Sequence, residues 1–272
     1  MHRTLKNGIQ IPAMGIGTYQ IMEKEILSAV IHEALDSGFP LIDTASAYLN
    51  ERLIGKVLQE EKIPREQIFL QSKVWCTNYG YKETKEALKT TLRKMKTDYL
   101  DAYLIHWPAA AASVNEDTWA AMEDLYKEGL TKSIGICNCN EEQLRLFLSA
   151  GSMIPMIHQF EYHPGLLDRS VIELCRKHNI QIEASSPFGT GILLKHEVIE
   201  TLAREKEKTP AQILLRFELQ TGVIPLPKSS TRGHVKENFE LFDFELTEHE
   251  ITQLTRLFGV NPSYGPPEAV NI

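Results

Sequence analysis

Residues 41–50 read LIDTASAYLN, an aliphatic run closed by a carboxylate, with a tyrosine following at position 48. Leu41 and Ile42 have the character of a buried strand, and Asp43 at its end demands a nearby cation, because an unpaired charge taken out of water is strongly disfavoured. The next apolar run, IFLQSK at 68–73, ends on Lys73 and supplies one. Runs of the same kind recur in both directions: AMGIGT, YLDAYLIH, SIGICN, MIHQFEY, QIEASSP and GVIPLP. They alternate with helix-like stretches beginning near Glu23, Asn50, Lys82, Asn115, Asn140, Asp168, Lys195 and Thr231, several with an N-capping residue type at the start. Near-continuous apolar strands indicate a parallel sheet buried on both faces. Eight strand-then-helix units within ~250 residues predict a closed (β/α)8 barrel, an α/β fold of the TIM-barrel type.

No Gly/Ser-rich linker or shift in composition divides the chain, so residues 1–272 are expected to form one barrel domain. Ahead of it, TLKNGIQIP at 4–12 carries an Asn-Gly turn between alternating residues and predicts a β-hairpin. Behind it, TEHEITQLTRL predicts an extra helix, followed by the Pro/Gly-rich tail GVNPSYGPPEAVNI, which either covers one barrel mouth or frays. With 43% hydrophobic and 24% charged residues, the chain can bury a large core without disorder-type bias. The net charge of −7, from 29 basic and 36 acidic residues, argues against a nucleic-acid or anionic-membrane binder. The first residues lack the pattern of a signal peptide and no apolar run is long enough to span a bilayer, so the protein is expected to be cytoplasmic; a monomer is the expected state. Cys76, Cys137, Cys139 and Cys175 make no CxxC pair and read as reduced, structural thiols; no metal is expected.

In such a barrel the chemistry sits at the carboxyl ends of the strands. Asp43, Lys73 and His106 end three successive strands, and Tyr48 lies just past the first of them. Taken singly these are an ion pair, a core histidine and a rim aromatic; together on one rim they make a proton donor for a carbonyl oxygen. The lysine charge favours the phenolate and is expected to bring Tyr48 down from ~10, while Asp43 holds the lysine charged. His106 is placed to orient the same oxygen and to stabilise charge developing on it. Protonating oxygen is half of a carbonyl reduction. The hydride must come from a nicotinamide or flavin, since no side chain supplies one. GIGTY at 15–19 is only a fragment of the dinucleotide fingerprint GxGxxG.

The motifs LIDTASAY, LQSKVW, YLIHWP, SIGICN, QFEYHP, SSPFGTG and LPKSSTRGHVKEN, in this order, resemble those of the aldo-keto reductases, and the resemblance runs nearly end to end. In loop length the chain is most similar to short-looped bacterial members such as the diketogluconate reductases. The resemblance implies a (β/α)8 barrel with NADPH across the strand ends and a tetrad of Asp43, Tyr48, Lys73 and His106. It further implies cofactor contacts from Thr18, from Asn138 and Gln159 at the nicotinamide carboxamide, Ser186 at the pyrophosphate, Lys228, Ser229, Arg232 and His234 around a 2′-phosphate, and Asn238 at the adenine. Tyr19, Trp75 and Trp107 resemble the family's substrate-pocket lining, for a small-molecule carbonyl.

Three positions depart from the family pattern. Ser185 stands where a tyrosine usually stacks on the nicotinamide, Cys137 where a serine precedes Asn138, and His234 where an arginine is common. NADPH is the expected cofactor, with NADH left open by His234. The first two departures also motivate an alternative, a cofactor-binding regulatory or sensor protein on the same fold. A Schiff-base enzyme using Lys73 is a third reading, opposed by Asp43, which keeps the lysine protonated.

Overall fold

The structure is a computed structural model that describes residues 1–266, with Arg232 described through its backbone only. A hairpin of β1 (His2–Thr4) and β2 (Gln10–Pro12) opens the chain. Then follow β3 (Gly15–Gly17), α1 (Lys24–Asp36), β4 (Leu41–Asp43), α2 (Glu51–Glu60), β5 (Phe69–Val74), α3 (Tyr81–Met95), β6 (Ala102–Ile105), α4 (Ala112–Lys127), β7 (Ile134–Cys137) and α5 (Glu141–Ser149). The second half runs β8 (Ile157–Glu161), α6 (Arg169–Lys177), β9 (Gln181–Ser185), α7 (Glu197–Lys206), α8 (Pro210–Gln220), β10 (Ile224–Pro225), α9 (Arg232–Phe239) and α10 (Glu248–Thr255). Strands β3 to β10 pair in sequence order, each parallel to the next. The circle is drawn together where the Gly17 amide donates to the Pro227 carbonyl at 3.0 Å and Gly17 bridges Lys228. This is the (β/α)8 barrel that the eight repeated units predict.

The helices hold the barrel through their apolar faces. Leu27 and Ile31, one turn apart on α1, are fully buried, as the 3.6-residue period requires. Trp119 of α4 meets Phe147 of α5 edge-on, with ring centroids 5.7 Å apart.

Three local expectations are corrected. The Asn-Gly pair does not form a two-residue hairpin loop: only Gly8 adopts a positive φ, 87°, and its amide donates to the Leu5 carbonyl, giving a wider turn. Helix α4 starts at Ala112, ahead of Asn115, whose buried side chain instead clamps the backbone N–H and carbonyl of Ala109 at 2.8 and 2.9 Å. The stretch after Lys195 is two helices. Glu207 turns left-handed to end α7, and Thr209 caps α8 in a box with Gln212, with Pro210 in its first turn.

The barrel interior is apolar at its base and polar toward the carboxyl ends. Register sets Asp43 beside Gln71 and Gln159 beside Glu183, and Lys73 follows Gln71 on the same face of β5. All five side chains are buried. Among the described residues no helix is long and apolar enough to cross a membrane, and no group of three or more His, Cys, Asp or Glu side chains is placed to hold a metal ion.

Candidate active site

Asp43 and Lys73 form a buried ion pair, with Lys73 Nζ 2.7 and 2.8 Å from the two carboxylate oxygens and 2.9 Å from the Thr44 carbonyl. Burial pushes the ammonium down; Asp43, with smaller contributions from Tyr48 and Cys137, more than offsets this, so Lys73 is raised and stays charged. That state is unsuited to Schiff-base chemistry. Asp43 Oδ1 also accepts from Gln71 at 2.9 Å and Gln159 at 3.1 Å, so three side chains donate four hydrogen bonds to the carboxylate within the barrel. Such satisfaction lets a charge pair persist away from water.

Tyr48 is carried over this pair by a single 3-10 turn, Ser46–Tyr48, which ends as Leu49 turns left-handed at φ 60°. Ser46 anchors the turn by donating its hydroxyl to the Lys73 carbonyl at 3.0 Å. Lys73 Nζ lies 5.1 Å from the centre of the Tyr48 ring. The lysine does lower the phenol, as its charge predicts, but burial has the larger and opposite effect and Asp43 adds to it, so Tyr48 is pushed up to about 12. The expected downward shift is therefore reversed. Tyr48 is a phenol holding its proton throughout the physiological range.

His106 ends β6 beside it, with ring centroids 5.6 Å from Tyr48 and 5.0 Å from Trp75. Burial, aided by the Lys73 charge, pushes the imidazole well below its usual range, so it is neutral. Among the described residues its Nδ1 is buried without a hydrogen-bond partner. A neutral ring with one nitrogen shut inside presents the other as the group that can meet a ligand oxygen.

Several residues assigned to a cofactor adjoin these groups on the same rim. Asn138 and Ser186 directly follow β7 and β9 and sit in the left-handed region, at φ 58° and 48°, a conformation that non-glycine residues keep where surrounding contacts enforce it. Asn138 Nδ2 donates to the His106 carbonyl at 2.9 Å, and Gln159 Nε2 donates to Asp43 and Glu183. The amide oxygens of both accept no hydrogen bond among the described residues, leaving two acceptors at the rim. Thr18 is fully buried, and its hydroxyl donates to the Asp43 carbonyl at 3.0 Å, so it fixes the end of β4. Cys137 is buried and held well up as a neutral thiol, mainly by burial. At the eighth unit Lys228 and His234 are exposed, Ser229 is half-buried with its hydroxyl accepting from the Thr231 amide at 3.2 Å, and Asn238 is buried on α9. The Arg232 side chain lies outside the described residues. Tyr19, 54% exposed, meets Tyr48 edge-on at 5.0 Å. Trp75 and Trp107 are half-buried at the mouth. Tyr79 fixes Trp107 by donating to its carbonyl at 2.5 Å and accepting from its amide at 3.0 Å.

Two features of the site escape the sequence reading. The first is Glu183, fully buried, whose Oε2 accepts from Gln71 at 2.7 Å and Gln159 at 2.8 Å. Burial, and then Asp43, push it up to about 7. The signal was a carboxylate inside the apolar run QIEAS, pointing inward by strand parity. Its protonated form is favoured by the fold, so its contribution to stability is full below about 4.5 and is lost as pH rises through about 7. Glu183→Gln, which keeps an acceptor for both amides, should therefore gain stability over the parent across that window, by up to about 3 kcal/mol, and hold the gain above it. Urea midpoints at pH 5 and pH 8 check this; a gain equal at both values would show that titration of Glu183 plays no part. The second is the attachment of the tail, for which the sequence offers only a cover over one barrel mouth or a frayed end. Ser263 donates its amide and hydroxyl to Glu161 at 2.8 and 2.5 Å, and the Tyr264 and Ser185 hydroxyls are hydrogen-bonded.

Comparison with known proteins places the chain. The model for the Aldo/keto reductase family matches residues 13–258. Glyoxal reductase of Bacillus subtilis is 37% identical over 95% of this chain and 95% of its own length, and methylglyoxal reductase DkgA of Salmonella typhimurium is 39% identical over 93% and 92%. The crystal structure of a Bombyx mori aldo-keto reductase in complex with NADP superposes with a TM-score of 0.89 at 28% identity, covering 97% of this chain and 95% of that one. The chain belongs to the aldo-keto reductase family and is an oxidoreductase.

Proposed function

We propose that this reductase transfers hydride from NADPH to small aldehydes and ketones, α-dicarbonyls such as glyoxal and methylglyoxal among them, with Tyr48 protonating the carbonyl oxygen. The observation that carries the reading is the buried Asp43–Lys73 pair beneath a protonated Tyr48, beside a neutral His106 with a free ring nitrogen. The residues present fit a nicotinamide: its carboxamide NH2 offers two donors, and Asn138 and Gln159 present two unfilled amide oxygens at the rim. Bound NADPH supplies the hydride, which no side chain can.

The chain's own residues do the rest. His106 and Tyr48 hold the carbonyl oxygen between them. As the carbonyl carbon gains hydride, its oxygen takes the Tyr48 proton to become the alcohol, and Tyr48 regains a proton from water. Lys73, kept charged by Asp43, stabilises the negative charge that Tyr48 bears meanwhile. Tyr19, Trp75 and Trp107 bound a mouth suited to small substrates, and the names of the glyoxal and methylglyoxal reductases support that class. Lys228 and Ser229 would hold the cofactor's 2′-phosphate, a charged donor and a hydroxyl suiting an anion.

Initial rates with NADPH and NADH against a panel of aldehydes, ketones and α-dicarbonyls test this reading. Turnover of small carbonyls with NADPH preferred is expected. Lys228→Ala should raise the NADPH Kd about 10-fold and leave that for NADH unchanged, since a charged hydrogen bond to the phosphate is lost. Tight NADPH binding with no turnover across the panel would overturn the proposal in favour of a sensor.

A further inference from the structure

The tail reaches the site by a defined route. Val260 packs on the loop after β8, where a Cβ on Gly165 would meet Val260 Cγ2 at 2.6 Å. Ser263 is then fixed to Glu161 at the end of β8 through two hydrogen bonds, and Glu161 is itself bonded to His163 Nε2 at 3.0 Å. One residue on, the Tyr264 hydroxyl reaches Ser185, which register pairs with Glu161 across β8 and β9. The Tyr264 ring meets Trp107 edge-on, with centroids 5.9 Å apart and planes at 82°. The tyrosine thus spans the mouth from the β9 end to the loop after β6. Burial, and then Glu161, hold its hydroxyl up against the pull of the Ser185 hydrogen bond.

Ser185 brings a hydroxyl and no ring to the point where β9 meets the rim, beside Ser186 and across from Asn138 and Gln159. The ring at that point is delivered from the other end of the chain. Tyr264 remains 37% exposed among the described residues although its hydroxyl is anchored and Trp107 covers one side of its ring. A flat aromatic ligand whose edge is held by two side-chain amides gains most from such a surface.

We infer that Tyr264, anchored by Ser185 and by the Ser263–Glu161 contact, is the aromatic wall against which the nicotinamide ring of the cofactor lies. This rests on the cofactor reading above and names a positioning residue within it. The tail is then part of the cofactor site as well as a cover for the barrel mouth.

Equilibrium titration of tryptophan fluorescence with NADPH, on the full chain and without substrate, tests it. Tyr264→Ala should raise the NADPH Kd about 3- to 10-fold, the range an aromatic contact supplies. Tyr264→Phe, which keeps the ring, should lose less than half of that on a logarithmic scale. Adding Ser185→Tyr to Tyr264→Ala, which returns a ring from β9, should restore binding. An unchanged Kd in Tyr264→Ala overturns the inference, and tighter binding overturns it by making Tyr264 an obstruction. A loss as large in Tyr264→Phe as in Tyr264→Ala, or one that Ser185→Tyr does not restore, also overturns it, since the ring would not be the active part. Failure of the parent chain to bind either NADPH or NADH would instead sink the cofactor reading itself.

Discussion

Tyr48→Phe is expected to lower kcat for carbonyl-dependent NADPH oxidation by about 10²- to 10⁴-fold, with the NADPH Kd changed by less than about threefold, because one hydroxyl is removed and no ring contact is. The reason lies in the state of the phenol. Burial raises Tyr48 to about 12 against the pull of Lys73, so the group enters the reaction with its proton on. Phenylalanine keeps the edge-on contacts with Tyr19 and His106 and loses only the donor. The pH dependence separates this from the simpler expectation of a lysine-lowered phenol. A phenol titrating near neutrality would make reduction fall steeply between about pH 7 and 9. A phenol held near 12 gives no such loss below about pH 10. His106 adds no limb near pH 6.5, because it is already neutral there. Retention of near-full kcat in Tyr48→Phe would remove Tyr48 from the proton-donor role and leave His106 as the candidate.

Much of this site is legible in the sequence because barrel topology converts strand order into neighbourhood. Asp43, Lys73 and His106 each end an apolar run, and consecutive strands in a parallel barrel are adjacent, so three separated residues fall on one rim. Tyr48 needs one step more, the Ser46–Tyr48 turn, which the stretch TASAY does not announce. What the sequence hides is the balance of opposing effects and the long-range arrivals. The presence of Lys73 predicts the sign of its pull on Tyr48, but only the enclosed geometry reveals that burial outweighs it. Glu183 lies within a quoted strand, yet its position between Gln71 and Gln159 depends on register across the barrel. Tyr264 sits in a Pro/Gly-rich tail with no periodicity to place it, and its meeting with Ser185 joins residues 79 positions apart. The split between α7 and α8 was legible: Thr209, Pro210 and Gln212 spell a helix start, which the neighbouring lysines and glutamates obscured.

Removing either member of the buried pair should have the largest effect on the fold. Lys73→Met leaves the Asp43 carboxylate enclosed without its cation, and an uncompensated buried charge typically costs about 3 to 5 kcal/mol. Asp43→Asn leaves the ammonium with the Thr44 carbonyl and one neutral oxygen, and a loss of similar size is expected. The double variant Asp43→Asn/Lys73→Met removes both charges, so it should be more stable than Lys73→Met alone, a non-additivity of at least about 1 kcal/mol in a double-mutant cycle read from urea midpoints. Strict additivity of the two single substitutions would show that the ion pair contributes nothing as a pair to the fold. In that event Tyr48, whose supporting turn hangs from the Lys73 carbonyl through Ser46, would be held by backbone contacts alone.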